Sequence, residues 1–238
     1  MIGRVARIAG RVVVLLAVLY GVLVGIGLLL TTVLEKSALV REEADLNEAL
    51  ADGRTPELDD ATYVLSGLGN TGAIIGALVV VAVALRLASK KWGPSVFLVL
   101  AVSAQALVFL LVTLTISRDR PDVERLDESP PTSSFPSGHT GAATALFLAS
   151  ALLVAWYVKR RWLKILAVTL LVAVPLLVAY GRLYRGMHHP TDIVGAYVNG
   201  IACVTIAAAN VLGRGWRRGD RDPDPRVAPA TAGATTRT

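Results

Sequence analysis

The segment Arg182-Leu-Tyr-Arg-Gly-Met-His-His-Pro-Thr-Asp192 joins two long apolar runs and holds two of the chain's three histidines. Two shorter polar segments, Arg120-Pro121 and Pro136-Ser137-Gly138-His139, stand at the ends of other apolar runs. A charged side chain at the centre of a membrane helix costs about 2.5–3.5 kcal/mol on insertion scales, so such groups are retained where a function requires them. Guanidinium groups suit an anion with several oxygens, and imidazoles suit nucleophilic and acid chemistry on it. The three segments therefore predict a phosphate site at the surface of a membrane protein.

Six apolar runs are long enough to cross a bilayer, which takes about 17–25 residues. The chain is 54% hydrophobic with a mean hydropathy of +0.58, above that of an ordinary soluble domain. The first run exceeds the roughly 7–15 apolar residues of a cleaved signal peptide, so we interpret it as a retained anchor. We predict an all-α bundle of six transmembrane helices. Its spans are residues 12–34, 71–89, 95–116, 139–158, 162–181 and 191–212.

Basic residues predict the orientation of the bundle, because cytoplasmic loops carry an excess of Lys and Arg. Most of the 24 Lys and Arg residues fall at the two termini and in the two loops on the same side as the termini. Both termini are therefore predicted to be cytoplasmic, and all three polar segments extracytoplasmic. This distribution also explains the net charge of +6. The sequence has no basic patch with interleaved aromatic residues, which is the pattern that would predict nucleic-acid binding.

The chain divides into a membrane domain over residues 1–213 and a tail over residues 214–238. The tail is basic and rich in proline, a composition that predicts disorder. An acidic segment, residues 35–70, lies outside the membrane between the first two spans and has a loosely amphipathic leucine pattern. It is either a solvated helical connection or a lid over a lipid headgroup, and we favour the connection. Cys203, in the sixth span, is expected to be a packing residue.

The segment 136–139 opens the fourth span. Ser137 is expected to cap this helix, and Gly138 lets the backbone approach a ligand. A helix start presents free N–H groups, so an anion can bind there, and His139 in the first turn can donate a proton to a leaving oxygen. The alternative interpretation is an ordinary capped helix with a surface histidine.

The segment 182–192 combines a candidate nucleophile with a carboxylate. Pro190 begins a helix, which puts Asp192 in its first turn and within reach of His188. A carboxylate that holds one imidazole nitrogen fixes the tautomer and makes the other nitrogen a better nucleophile. Arg182 projects toward the same face. The alternative is a basic interfacial loop in which the histidines, including His189, are incidental. Four aromatic residues near span ends are expected to lie at the membrane interface: Tyr180, Tyr184, Trp156 and Trp162.

The spacing Arg182-x5-His188-x3-Asp192, preceded by Pro-Ser-Gly-His and Arg-Pro, resembles the type 2 phosphatidic acid phosphatase superfamily in its bacterial integral membrane branch. That superfamily includes lipid phosphate phosphatases, polyprenyl pyrophosphate phosphatases and vanadium haloperoxidases. The resemblance implies that His188 attacks phosphorus and forms a phosphohistidine, that Asp192 orients it, and that His139 protonates the leaving group. It also implies that no metal or cofactor is needed. By the same resemblance, the phosphoryl oxygens would be held by Arg120, Ser137, Gly138 and Arg182.

Two positions depart from the superfamily pattern. Thr113 stands where the first motif has a lysine, and Gly181 stands where the third motif has a serine. Losing the lysine removes a positive charge from the phosphate site. Arg118 or Arg185 is a possible replacement.

The expected function is hydrolysis of a lipid phosphomonoester or pyrophosphate at an extracytoplasmic site in the cell membrane. Candidate substrates are polyprenyl pyrophosphates such as undecaprenyl pyrophosphate, phosphatidic acid and phosphatidylglycerol phosphate. The replacement at Thr113 keeps open a non-catalytic relative that binds lipid phosphates. The third hypothesis is a vanadate-dependent enzyme of the haloperoxidase kind.

Overall fold

The computed structural model describes residues 2–128 and 132–212, and within these ranges every regular element is a helix. The predicted tail over residues 214–238 lies outside them. The helices are α1 (Ile2–Leu28), α2 (Ala38–Asp52), α3 (Pro56–Gly67), α4 (Thr71–Ser89), α5 (Gly93–Thr115), α6 (Gly138–Tyr157), α7 (Arg161–Tyr184) and α8 (Pro190–Ala207). α1 and α8 each continue into a π-helical turn, Leu29–Val33 and Ala208–Leu212.

Six of these helices are long and apolar enough to cross a membrane, so the prediction of an all-α chain with six spans is confirmed for the described residues. The side of the membrane on which the termini lie stays a prediction. The spans are Val5–Val33, Thr71–Ser89, Gly93–Thr115, Gly138–Tyr157, Arg161–Tyr184 and Pro190–Leu212.

Three spans form the interior of the bundle. In each of α5, α6 and α8, half of the most apolar 18-residue stretch is buried inside the protein. The corresponding buried share is 6% in α4 and 17% in α7. Small residues allow α6 and α8 to approach closely: a Cβ added to Gly200 would lie 2.6 Å from the side chain of Thr144. Without a hydrophobic force between helices in lipid, such close contacts supply much of the packing energy.

The outer faces of the remaining spans are apolar and exposed, as a lipid-facing surface requires. Val14, Val80 and Leu170 on α1, α4 and α7 are each about 60% exposed or more. Trp162 is exposed at one end of α7, where an interfacial residue is expected. Tyr184, at the other end, was expected at the interface too, and that expectation is wrong because its ring is buried.

The acidic segment 35–70 folds into α2 and α3, which dock on the end of the bundle that carries the three polar segments. Close packing of α3 on α7 depends on Gly181, where a Cβ would lie 3.2 Å from the backbone of Thr62 and of Ser66. Glu43 and Asn47 on α2 are buried as well. The favoured interpretation of this segment as a merely solvated connection is therefore wrong.

Candidate active site

A cavity of about 970 Å³ opens at this end of the bundle, between α3, α4, α5 and the start of α6. Its wall brings together four of the predicted site side chains and the backbone of Gly138. The four are Arg120, His139, Arg182 and His188. Another part of its wall is apolar and comes from Val64, Ile74, Ile75, Phe109 and Leu110.

His188 is buried, and its hydrogen bonding defines its tautomer. Its Nδ1 lies 2.9 Å from the backbone oxygen of Ser134 and 3.6 Å from Oδ2 of Asp192. A carbonyl oxygen can only accept, so Nδ1 carries the proton and Nε2 keeps its lone pair. Burial lowers the pKa of His188 below its ordinary value, although the Asp192 carboxylate raises it. The neutral imidazole is thus the stable form at neutral pH.

The turn before His188 requires a glycine. Gly186 has φ +68°, in the left-handed region that side chains other than glycine rarely adopt. A Cβ at this position would also lie 2.8 Å from the backbone oxygen of Glu124. This turn ends α7 and redirects the chain so that His188 reaches the cavity.

Asp192 is fully buried in the first turn of α8 and binds residues from the loop between α5 and α6 as well as from its own segment. Its Oδ2 accepts from the hydroxyl of Ser134 at 2.5 Å and from the backbone N–H of His189 at 2.8 Å. Its Oδ1 accepts from Nη1 of Arg118 at 2.5 Å. The expected pairing with His188 exists as a contact at 3.6 Å, and the shorter bond of that imidazole goes to the Ser134 carbonyl.

The start of α6 lies against α8 and α5. The backbone N–H of Ser137 donates to the backbone oxygen of Asp192 at 3.2 Å, and its hydroxyl donates to Thr140 at 3.1 Å. Ser137 is the residue before the helix, as expected, but its side chain does not form the expected capping hydrogen bond. Gly138 is needed for close packing, because a Cβ there would lie 2.9 Å from the ring of Phe109.

Arg120 and Arg182 are the two cavity arginines. Nη1 of Arg120 donates to the backbone oxygen of Met187 at 2.7 Å, and burial lowers its pKa. Nη1 of Arg182 donates to Ser66 and to Oδ2 of Asp127, each at 2.8 Å. Nε of Arg182 is buried and has no hydrogen-bond partner among the residues that the structure describes. An unsatisfied buried donor costs about 1–3 kcal/mol, so an anion that accepted from it would be stabilised.

Arg118, Arg185 and Thr113 do not line this cavity. Arg118 binds the carboxylates of Glu43 and Asp192, and Arg185 binds Asp127. Thr113 has a buried hydroxyl that finds no partner in the described part of the chain. Both arginines are thus held by carboxylates, and of these Asp127 itself lines the cavity.

Four functional neighbours were not anticipated from the sequence: Glu43, Asn47, Asp127 and Ser134. Ser134 lies two residues before the second motif, and its backbone oxygen binds His188, a contact that any residue type could make. Asp127 bridges Arg182 and Arg185. Burial raises the pKa of Asp127, but the hydrogen bond from Arg185 and the charges of both arginines outweigh burial and hold the pKa below its ordinary value.

Residues 93–216, more than half of the chain, match the family model of the PAP2 superfamily. The chain belongs to the PAP2 superfamily. All three motifs, from Arg120 to Asp192, fall in the matched region, whereas α2 and α3 do not. Membership and the six spans together make this a multi-pass membrane protein of the PAP2 type.

Two solved structures share the fold. A transmembrane PAP2-type phosphatidylglycerolphosphate phosphatase from Bacillus subtilis is 21% identical, with a TM-score of 0.70, over 79% of this chain and 93% of that one. LpxE from Aquifex aeolicus is 23% identical, with a TM-score of 0.55, over 68% of this chain and 92% of that one. No curated protein matches the chain. At these identities the likeness concerns the fold.

Proposed function

We propose that this protein is a membrane phosphatase that hydrolyses a lipid phosphomonoester or pyrophosphate. The observation that carries the proposal is a single cavity lined by Arg120, Arg182, His139 and His188 and also by an apolar wall from α3, α4 and α5. A phosphorylated lipid is complementary to this cavity, because it combines a negatively charged headgroup with an apolar tail. The structural neighbour from Bacillus subtilis is a phosphatidylglycerolphosphate phosphatase, which supports this class of substrate.

In the proposed reaction, Nε2 of His188 attacks phosphorus, and the bond from phosphorus to the leaving oxygen breaks. His139 gives that oxygen a proton. A water then attacks the phosphohistidine, loses a proton to His139, and releases phosphate and the free imidazole. Arg120 and Arg182 would neutralise the charge that develops on the phosphoryl oxygens, the largest contribution in most such sites. Asp192 keeps the segment of the nucleophile in place.

The start of α6 would hold a further phosphoryl oxygen. Ser137 precedes this helix and Gly138 begins it. The Ser137 N–H is already bonded to the backbone oxygen of Asp192, so the N–H groups of the first helical turn and the positive end of the helix dipole would favour the anion. The Arg182 Nε, which is buried and has no partner within residues 2–128 and 132–212, is a second donor available to the phosphate. The reaction uses only these side-chain and backbone groups.

We further propose that the site faces the extracytoplasmic side. The opposite end of the bundle carries the basic turns, with Lys90 and Lys91 after α4, Lys159 and Arg160 before α7, and Arg161 at its start. Asp45, exposed on α2, and Lys159, exposed at the other end, offer a matched pair of labelling sites, since the native Cys203 is buried. A membrane-impermeant maleimide should label Asp45→Cys and not Lys159→Cys in intact cells. The reverse pattern would contradict this orientation.

The phosphatase is tested by phosphate release from the detergent-purified protein, with a chelator present. Substrates are phosphatidic acid, phosphatidylglycerol phosphate and a polyprenyl pyrophosphate. Release should be lost in His188→Ala and retained in His189→Gln, because the neighbouring imidazole does not line the cavity. Turnover that survives His188→Ala would contradict the assigned nucleophile. A folded wild-type protein that binds these lipids without turnover would indicate a non-catalytic relative that binds lipid phosphates. Halide oxidation that depends on added vanadate would indicate an enzyme of the haloperoxidase kind.

A further inference from the structure

Glu43 is a buried carboxylate on an extramembrane helix, far in sequence from the three motifs. It is 3% exposed, although α2 is otherwise an acidic surface helix. Its Oε1 accepts the backbone N–H of Thr191 at 2.6 Å, in the first turn of α8. Its Oε2 accepts Nη2 of Arg118 at 2.9 Å. Burying a carboxylate is unfavourable unless it is paired and hydrogen-bonded, and both of its oxygens are.

Arg118 connects Glu43 to the candidate catalytic segment. Nη1 of this guanidinium donates to Oδ1 of Asp192 at 2.5 Å and to the hydroxyl of Thr191 at 2.7 Å. Oδ2 of the same Asp192 carboxylate lies 3.6 Å from Nδ1 of His188. The charges thus alternate in one chain of contacts: Glu43 negative, Arg118 positive, Asp192 negative, and then the imidazole.

α2 also holds the backbone of the nucleophile. Nδ2 of Asn47, one helical turn after Glu43, donates to the backbone oxygen of His188 at 3.1 Å, and both side chains are buried. The same face of α2 therefore contacts the segment 188–191 at two points and contacts Asp192 through Arg118. Neither Glu43 nor Arg118 lines the cavity, so neither can touch a substrate there.

We propose that Glu43 and Arg118 are positioning residues of the phosphatase site, which act through Asp192 on the orientation and protonation of His188. The inference rests on the proposed function for the meaning of His188, but the contacts that carry it are independent of the substrate. Glu43 lies outside residues 93–216, the region that matches the family model, whereas Arg118 lies inside it. Glu43 belongs to the extramembrane helix between the first two spans.

The proposal makes a charge prediction with opposite signs for the two residues. Arg118→Gln removes the cation beside Asp192, so the carboxylate stabilises protonated His188 more strongly and the pKa of His188 rises. Glu43→Gln removes the anion that shares Arg118, so the pKa of His188 falls. The other charged or titratable groups that face His188 are left in place: Asp192 from α8, Arg182 from α7, His139 from α6 and Arg120 from the loop between α5 and α6.

The first measurement is the titration of the imidazoles by NMR in detergent micelles with isotope-labelled histidine. The chain has only three histidines, and His188→Ala identifies the signal of interest. Glu42→Gln is the matched control, since Glu42 is the exposed neighbour of Glu43 on the same helix. The expected result is a higher midpoint in Arg118→Gln, a lower one in Glu43→Gln and no change in Glu42→Gln. Shifts in the same direction, or none beyond the control, would overturn the proposal.

The second measurement separates kcat from KM for phosphate release. Loss of correct positioning is expected to lower kcat about tenfold or more in Glu43→Gln and Arg118→Gln, while KM changes less than about twofold. Glu43→Asp keeps the charge but shortens the side chain, so it should lower kcat and leave the imidazole titration unchanged. That variant also keeps the test decisive if Glu43→Gln does not fold. An unchanged kcat in an active enzyme would refute the positioning role alone. An inactive wild type would refute the phosphatase, and the imidazole titration would then decide whether Glu43 and Arg118 act on His188.

Discussion

Asp127 bridges two buried arginines. Neutralising it is expected to lower the free energy of unfolding, and a bound anion is expected to restore most of this loss. Its carboxylate contacts Arg182 at 2.8 Å and Arg185 at 2.7 Å, and these arginines are 4% and 5% exposed. Breaking a fully buried ion pair by removing one partner costs about 3–5 kcal/mol. The Asp127 side chain is 20% exposed. Both arginines also keep other acceptors, Arg182 the hydroxyl of Ser66 and Arg185 the backbone oxygen of Asp59.

We therefore expect Asp127→Asn to lower the free energy of unfolding by about 2–3 kcal/mol, below the fully buried case. For a chain of this size that corresponds to a fall in Tm of about 4–12 °C. Thermal unfolding in detergent measures it, with Asp122→Asn, an exposed acid of the same loop, as the control.

Added phosphate or vanadate distinguishes an anion site from a purely structural ion pair. In the wild-type protein an anion competes with the Asp127 carboxylate for Arg182, whereas in Asp127→Asn it meets an uncompensated guanidinium. A ligand at 100 times its Kd stabilises the folded state by about 2.7 kcal/mol, enough to restore most of the loss. The variant should therefore gain more Tm from the anion than the wild type does. Equal gains in both proteins, or a Tm as high as that of the control, would refute the reasoning.

Three further predictions concern His188 and two glycines. Because burial lowers the pKa of His188, kcat/KM should stay high as the pH falls below 6.5, and an acid limb above pH 6.5 in the pH-rate profile would contradict this. Any stability due to the neutral imidazole should be complete above pH 6.5 and should be lost as the pH drops through the lowered pKa, which a pH-Tm profile measures. Gly195→Ala puts a Cβ 2.5 Å from the ring of Phe135, which should cost about 1–3 kcal/mol in unfolding experiments, unlike Gly72→Ala, where nothing lies within 4 Å. Gly181→Ser, which restores the superfamily residue, should lower Tm and leave kcat no higher, because α3 packs at 3.2 Å from the added Cβ; a more active, equally stable variant would show that the glycine is not needed for packing.

The spans could be predicted because a bilayer imposes its thickness on the sequence. A membrane helix needs about 20 apolar residues whatever it packs against, so composition alone located all six. The cavity residues were recognisable for a related reason. Arg120, His139, Arg182 and His188 are polar groups at the ends of apolar runs, and their spacing matches a superfamily motif.

The supporting contacts could not be predicted, because they depend on helix rotation and on backbone groups. Glu42 and Glu43 are identical side chains in an acidic segment, and only the rotation of about 100° between successive helix positions buries one and exposes the other. The hydrogen-bond partner of His188 was expected to be a carboxylate. It is the backbone oxygen of Ser134, a group that every residue carries, so no residue type could reveal it.

The contact between α2 and the start of α8 also has a consequence for the order of synthesis. Glu43 and Thr191 are separated by 148 residues, and at about 5–20 residues per second the ribosome needs roughly 7–30 s to make the intervening chain. Throughout that interval the carboxylate of Glu43 lacks its full set of partners in the finished site, since α8 and, at first, Arg118 have not yet been made. His188, the proposed nucleophile, thus acquires its full set of contacts only when the last span has been made. A chain cut short before α8 would lack Asp192 and Thr191, and with them the contacts that join Glu43 and Arg118 to the proposed site.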